Sequence, residues 1–116
     1  MEGRHGGLAR PSNVIEAKTE SSQGSHSAPF PRAIPEFFIK AFSDAGDAVF
    51  DPFAGAGSTL VACEKTHRQA RLIELEPKYC DVIIRRSEEF SGKRAVLESD
   101  GRGFDEVALE RRTVAA

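Results

Sequence analysis

The run Val49-Phe50-Asp51-Pro52-Phe53-Ala54-Gly55-Ala56-Gly57-Ser58-Thr59 constrains the fold more than any other part of this chain. Its short apolar opening, Ala48-Val49-Phe50, reads as a buried strand. Two glycines one residue apart then call for a tight turn, and Ser58 or Thr59 suits the cap of the helix that follows. A strand, a glycine turn and a helix in that order leave bare backbone N–H groups at the helix start, where a nucleotide-like ligand can lie against them.

The flanking sequence completes the unit. Before the run, Ile34, Phe37, Phe38, Ala41 and Phe42 fall on one helical face, so a helix is expected over about 32–42, with Pro35 in its tolerant first turn and Gly46 as the left-handed residue beyond its end. After it, Thr59 to Lys65 continues as helix, Arg71 to Glu74 reads as a second strand, and Pro77 opens a helix to about Phe90 that Gly92 stops. Tyr79, Val82, Ile83 and Phe90 form that helix's apolar face. The tail holds a possible short strand at Ala95-Val96-Leu97 and an amphipathic helix over Phe104, Val107, Ala108 and Arg111. Strand–helix–strand at this length is a right-handed parallel crossover. The expected fold class is therefore α/β, an incomplete doubly wound parallel sheet of the Rossmann-like kind.

Upstream, Asn13-Val14-Ile15 alone has strand character, and Thr19 to Ser25 is loop-like. The segment around Pro29 and Pro31 must be extended. Three stretches follow: a flexible segment over 1–25, a ligand-binding subdomain over 26–92 and a tail over 93–116.

Composition sets the outer limits. The chain has 116 residues and a formal charge of −2, which fits one small domain without a global pull toward polyanions. The basic pair Arg85-Arg86 reads as a solvated helix face. Cys63 and Cys80 lie in apolar helical sequence without CxxC spacing, so buried free thiols are expected and a metal site is not. Neither a membrane span nor a signal peptide is apparent, and a cytoplasmic location is the expectation.

The chemistry of the candidate ligand site lies in its acids. Asp51 ends the first strand and Glu74 the second, which puts both outside the carboxyl edge of the sheet, where such folds bind ligands. Glu74 follows Gly57 at close to the roughly twenty positions typical of an acid that accepts two hydrogen bonds from a ribose diol. Leu60 stands where the dinucleotide fingerprint has its third glycine. Asp51 beside the turn would repel a pyrophosphate and attract an ammonium. S-adenosylmethionine (SAM) carries an ammonium, a sulfonium and a ribose diol but no phosphate, and suits these residues better than NAD. Each residue also has a plainer role open to it. Asp51 could bond only the turn's own N–H groups, the glycines could serve only the turn, Glu74 could be an ordinary surface acid, and Phe53 could be core.

The segment from about Asn13 to Gly92 resembles the C-terminal part of bacterial and phage DNA methyltransferases that modify exocyclic amines, N4 of cytosine or N6 of adenine. The resemblance rests on three stretches: His26-Ser27-Ala28-Pro29-Phe30-Pro31, Asp51-Pro52-Phe53-Ala54-Gly55-Ala56-Gly57-Ser58-Thr59, and Ile73-Glu74-Leu75-Glu76-Pro77-Lys78-Tyr79. It implies SAM held by the Asp51-Pro52-Phe53 loop, with Asp51 on the methionine amino group and Gly55 and Gly57 passing close to the ligand. It also implies Phe53 packed beside the ligand, Ser58 or Thr59 on its carboxylate, Glu74 on its ribose, and Pro29 and Phe30 flanking its methionine end. The implied substrate is double-stranded DNA. Leu72 replaces the family's usual glycine two positions before the acid, and Ser27 follows His26 where proline is common. No two of the six prolines are adjacent, so the Asp-Pro-Pro type loop that activates the target amine is absent, and Asp51-Pro52-Phe53 does not replace it. The chain is therefore expected to be inactive or nearly so alone, as a truncated product, a decayed remnant, or half of a split enzyme whose partner chain carries the catalytic loop and the target-recognition region. A non-catalytic interaction module is the alternative.

Overall fold

A computed structural model describes residues 14–18 and 31–115. Among these the order is α1 (Ala33–Phe42), β1 (Ala48–Asp51), α2 (Ser58–Lys65), β2 (Gln69–Leu72), α3 (Pro77–Ser91) and α4 (Phe104–Ala115). The fold class is α/β with a two-stranded parallel sheet, as the sequence implies. Val49 pairs with Ala70 and Asp51 with Leu72, which brings the carboxyl ends of both strands to the same edge.

One side of this sheet is covered. Val49 and Ala70 pack against Ile39 of α1 and Ala62 and Cys63 of α2, and these residues form the core. The opposite side presents the next pair in register, Phe50 and Arg71, both exposed, with Phe50 64% accessible. Each strand therefore alternates as a half-covered strand should.

Several sequence expectations need correction. The second strand runs from Gln69 to Leu72 and not from Arg71 to Glu74, so Glu74 lies two residues past its end. The Gln69 amide bonds to the Asp47 carbonyl at 2.8 Å, which starts the ladder two residues early. Its hydrogen bonding still reaches Ile73, whose N–H donates to the Asp51 carbonyl at 3.0 Å. On α1 the anticipated stripe of Phe38, Ala41 and Phe42 faces outward, with Phe38 and Phe42 47% and 80% accessible. Ile39, one position off that stripe, makes the core contact because it is the residue turned toward α2. Phe38 instead stacks on Phe42 and meets Phe37 edge-on. Phe90 of α3, expected on the buried face, stays half exposed. Val14 and Ile15 form no regular structure, and Asn13 lies outside the described residues. At Ala95-Val96-Leu97 the strand reduces to one antiparallel bridge between Val96 and Gly103.

Gly92 takes a left-handed conformation and ends α3, and Gly46 does so after α1, as expected. Cys63 and Cys80 are free thiols, and burial pushes the Cys63 thiol up from its ordinary pKa. No helix among the described residues is long and apolar enough to cross a membrane.

Candidate functional site

The loop from Pro52 to Gly57 leaves the carboxyl edge of the sheet and is bonded on every side. Asp51 Oδ1 accepts the Phe53 N–H at 2.9 Å. Asp51 Oδ2 accepts the Thr59 hydroxyl at 2.6 Å, which ties the strand end to the first turn of α2. From just past the second strand, Glu74 Oε2 accepts the Gly55 N–H at 2.6 Å, and Oε1 accepts the Glu76 N–H at 2.9 Å. The Ile73 carbonyl accepts the Ala54 N–H at 3.0 Å. Asp51 and Glu74, distant in sequence, thus converge on one six-residue loop. A carboxylate offers about four lone-pair positions, so either acid can accept from a ligand as well as from the loop.

The two glycines have different physical roles. Gly57 is buried at φ +88°, and a Cβ there would lie 3.3 Å from Ile83 Cγ1 of α3, so this glycine permits the close approach of α2 and α3. Gly55 stands at φ +55°, and a Cβ there would meet nothing nearer than the Phe53 carbonyl at 4.0 Å. Open space beside the Gly55 backbone is where a ligand can come within contact of the chain.

Gly57 itself occupies the N-cap position of α2 with no side-chain cap. This corrects the expectation that Ser58 or Thr59 caps the helix. Both are inside it, and the Thr59 hydroxyl is engaged by Asp51. Phe53 is 87% accessible, so it belongs to the surface of the site and not to the core. Pro52 is exposed beside it. Pro29 and Phe30, like His26, lie outside the described residues.

Sequence reasoning missed Arg86. Its Nη1 donates to the Ala56 carbonyl at 2.5 Å, so α3 braces the loop from behind. Arg86 lies three residues after Ile83 on the α3 face that meets Gly57, and that spacing was the available signal. Its neighbour Arg85 points elsewhere, to Asp105 and the Phe104 ring. Leu75 was also passed over; it follows Glu74 directly and is 95% accessible.

Among the described residues no cluster of three or more His, Cys, Asp or Glu could hold a metal ion. The site is a loop hydrogen-bonded to one carboxylate at the end of β1 and to another two residues past the end of β2, chemistry suited to a ligand with hydroxyls and positive charge.

A family profile described as DNA methylase matches residues 10–85. The chain is 37% identical over 81 residues to the type II methyltransferase M.Cfr9I of Citrobacter freundii, covering 70% of this chain and 27% of that protein. Among solved structures, the putative DNA modification methylase TTHA0409 of Thermus thermophilus, crystallised with S-adenosyl-L-methionine, aligns with a TM-score of 0.50 at 41% identity over 53% of this chain and 26% of its own. The PvuII DNA methyltransferase (cytosine-N4-specific) aligns with a TM-score of 0.59 at 26% identity, over 71% of this chain and 36% of its own. The chain thus spans about a quarter to a third of the length of these relatives. These matches make the chain a member of the N4-cytosine/N6-adenine DNA methyltransferase family.

Proposed function

We propose that this chain is the SAM-binding portion of a DNA methyltransferase that transfers a methyl group to an exocyclic amine, N4 of cytosine or N6 of adenine. The observation that carries the reading is the convergence of Asp51 and Glu74 on the Phe53–Gly55 loop, through Phe53 N–H and Gly55 N–H. The open space at Gly55 and the acceptor-rich donor set fit SAM, and the SAM-bound relative TTHA0409 supports the same cofactor.

In this reading Asp51 faces the methionine ammonium, while Thr59 holds its carboxylate in position. Glu74 accepts the ribose hydroxyls alongside its bonds to Gly55 and Glu76. Gly55 admits the ligand to the backbone, Gly57 lets the loop lie against α3, and Arg86 fixes the Ala56 carbonyl. Phe53 and Pro52 offer an exposed apolar wall, Ser58 stands at the helix start for the methionine carboxylate, and Pro29 and Phe30 flank the same end. When bound, SAM supplies an electrophilic methyl on a sulfonium. The exocyclic amine is a weak nucleophile because its lone pair is delocalised into the ring, and a flipped base needs an acceptor and a stacking partner to react. This sequence has no Asp-Pro-Pro type loop to supply them, so methyl transfer requires that loop from elsewhere.

A second reading, half of a split methyltransferase that pairs with a chain carrying the loop and the target-recognition region, is favoured by the bare sheet side around Phe50. Calorimetric titration with SAM, S-adenosylhomocysteine and NAD, followed by a tritiated-methyl assay on duplex DNA, tests both. The expected result is binding of SAM and its demethylated product without methyl transfer by the chain alone. Binding of NAD only would defeat the proposal, and methylation by the purified chain would overturn the requirement for a second component.

A further inference from the structure

The tail that follows α3 lies beyond residue 85, where the family profile ends. It is a small unit with its own internal bonds. Val96 bridges to Gly103, and the Leu97 N–H donates to the Arg102 carbonyl at 2.8 Å, which closes a tight turn. Arg102 Nε donates to Asp100 Oδ2 at 2.7 Å within that turn, and the same guanidinium pairs with Glu110 of α4. Arg94 pairs with Glu106 and passes over Gly103, where a Cβ would fall on its guanidinium. Turn and α4 are thereby tied to each other.

The hold of this unit on α3 is of another kind. Arg85 Nη2 donates to Asp105 Oδ1 at 2.6 Å, and its guanidinium sits 4.4 Å over the Phe104 ring. The Ala95 N–H donates to Glu88 Oε1 at 3.0 Å. Among the described residues neither α3 nor α4 has a buried side chain. A groove of about 710 Å³ separates them, lined by Cys80 and Ile84 of α3 and by Val96, Phe104 and Val107 of the tail. The fastening is thus polar and exposed, while the apolar surfaces face each other across unfilled space. Exposed ion pairs contribute little and are screened by salt. A segment bonded well within itself and weakly to its neighbour opens as a unit before the rest of the fold does.

We propose that residues 94–115 form a strap over this groove, latched by Arg85 on Asp105 and Phe104, which swings open as one piece when the latch is screened or broken while the α/β core stays folded. The groove ends at Glu74, so the strap controls how open that flank of the candidate site is, whatever ligand the site takes. The proposal goes beyond the SAM reading, and its test uses neither SAM nor DNA.

Two thiols separate strap opening from unfolding. Cys80 lines the groove, and Cys63 is 0% exposed in the core. The full chain is treated with a maleimide carried on a polyethylene glycol chain too bulky for the closed groove, and labelling of each cysteine is followed by mass spectrometry. At low salt, Arg85→Gln and Asp105→Asn are expected to speed Cys80 labelling by about threefold to tenfold and to leave Cys63 unchanged. In about 1 M sodium chloride, where the screening length falls to about 3 Å, the wild type is expected to reach the rate of the variants, which themselves change little. Arg85→Asp combined with Asp105→Arg is expected to restore much of the protection. Hydrogen exchange at the Ala95 amide, bonded across to α3, should quicken in the two single variants, while the Leu97 amide, bonded within the tail, should not. Equal Cys80 rates in every variant and at every salt concentration would overturn the proposal. So would Cys63 labelling that rises together with Cys80, because the opening would then be unfolding of the whole chain. If Asp105→Asn unwinds the start of α4, Arg85→Gln, which leaves α4 untouched, decides.

Discussion

Gly57→Ala separates packing from ligand binding at the loop. Three effects set its magnitude. A left-handed backbone at φ +88° disfavours any Cβ, at about 1–2 kcal/mol. The new methyl would also stand 3.3 Å from Ile83 Cγ1 and 3.7 Å from Ile83 Cα, so α3 must shift by a few tenths of an ångström, which adds about 1 kcal/mol of overpacking. Stiffening of the unfolded chain returns about 0.4–1 kcal/mol. The net loss is about 2 kcal/mol, near thirtyfold in the folding equilibrium, which lowers a urea midpoint by roughly 1–2 M. Gly55→Ala carries the backbone cost without the clash, because its Cβ position is open, and should lose only about 0.5–1 kcal/mol. Its methyl would instead occupy the space a ligand needs. Urea melts followed by circular dichroism, paired with SAM titrations, are expected to show Gly57→Ala as the folding variant and Gly55→Ala as the binding variant. Equal stability for Gly57→Ala and the wild type, or a greater loss for Gly55→Ala, would refute the separation.

Three further outcomes follow from the geometry. Arg68 donates to the Ser43 hydroxyl and carbonyl and to the Thr66 carbonyl, joining the ends of α1 and α2, so Arg68→Met should cost about 2 kcal/mol in the same melts. Glu36 accepts from Lys40 and Lys65, and these bonds hold its carboxyl below its ordinary pKa of 4.5. A lowered folded-state value stabilises the fold above the unfolded pKa and is lost as pH falls through the folded one. Glu36→Gln should therefore lose up to about 1 kcal/mol at neutral pH, and the gap to wild type should close as the pH falls below 4.5 and through the lowered folded-state value. Phe50→Ser should shift the chain toward monomer in sedimentation velocity, because Phe50 is exposed on the bare side of the sheet; a wild type that stays monomeric at every concentration would contradict this.

The sequence was most legible where local chemistry decided the outcome. The strand ends at Asp51, the turn through Gly55 and Gly57, and the stop at Gly92 follow from backbone preferences that tertiary contacts do not override. It was least legible where a missing neighbour decides which face is inside. The Phe38–Phe42 stripe has the period of a buried helix face, yet Ile39 makes the core contact, because one sheet side and two packed helices leave that stripe nothing to cover it. Arg86 was lost for the opposite reason. A basic pair on a helix is ordinarily solvated, and only the position of α3 against the loop reveals that one member reaches the Ala56 carbonyl. Gly57 could be assigned to the turn from the sequence, but its contact with Ile83 could not, since that depends on how α3 returns to α2. The acids illustrate both cases. The position of Asp51 at the end of β1 was readable, Glu74 lies two residues past the end of β2 and not on it, and the hydrogen bonds of both acids to Phe53 and Gly55 required the fold.

The central claim, that Asp51 and Glu74 grip one loop to cradle a sulfonium nucleoside, is tested most directly by following backbone amide resonances of the full chain during titration with SAM. The amides of Phe53, Gly55 and Glu76 each donate to one of these two carboxylates. The account predicts that these three move together and saturate with a single binding curve. Saturable binding that shifts other amides and leaves these three in place would contradict it.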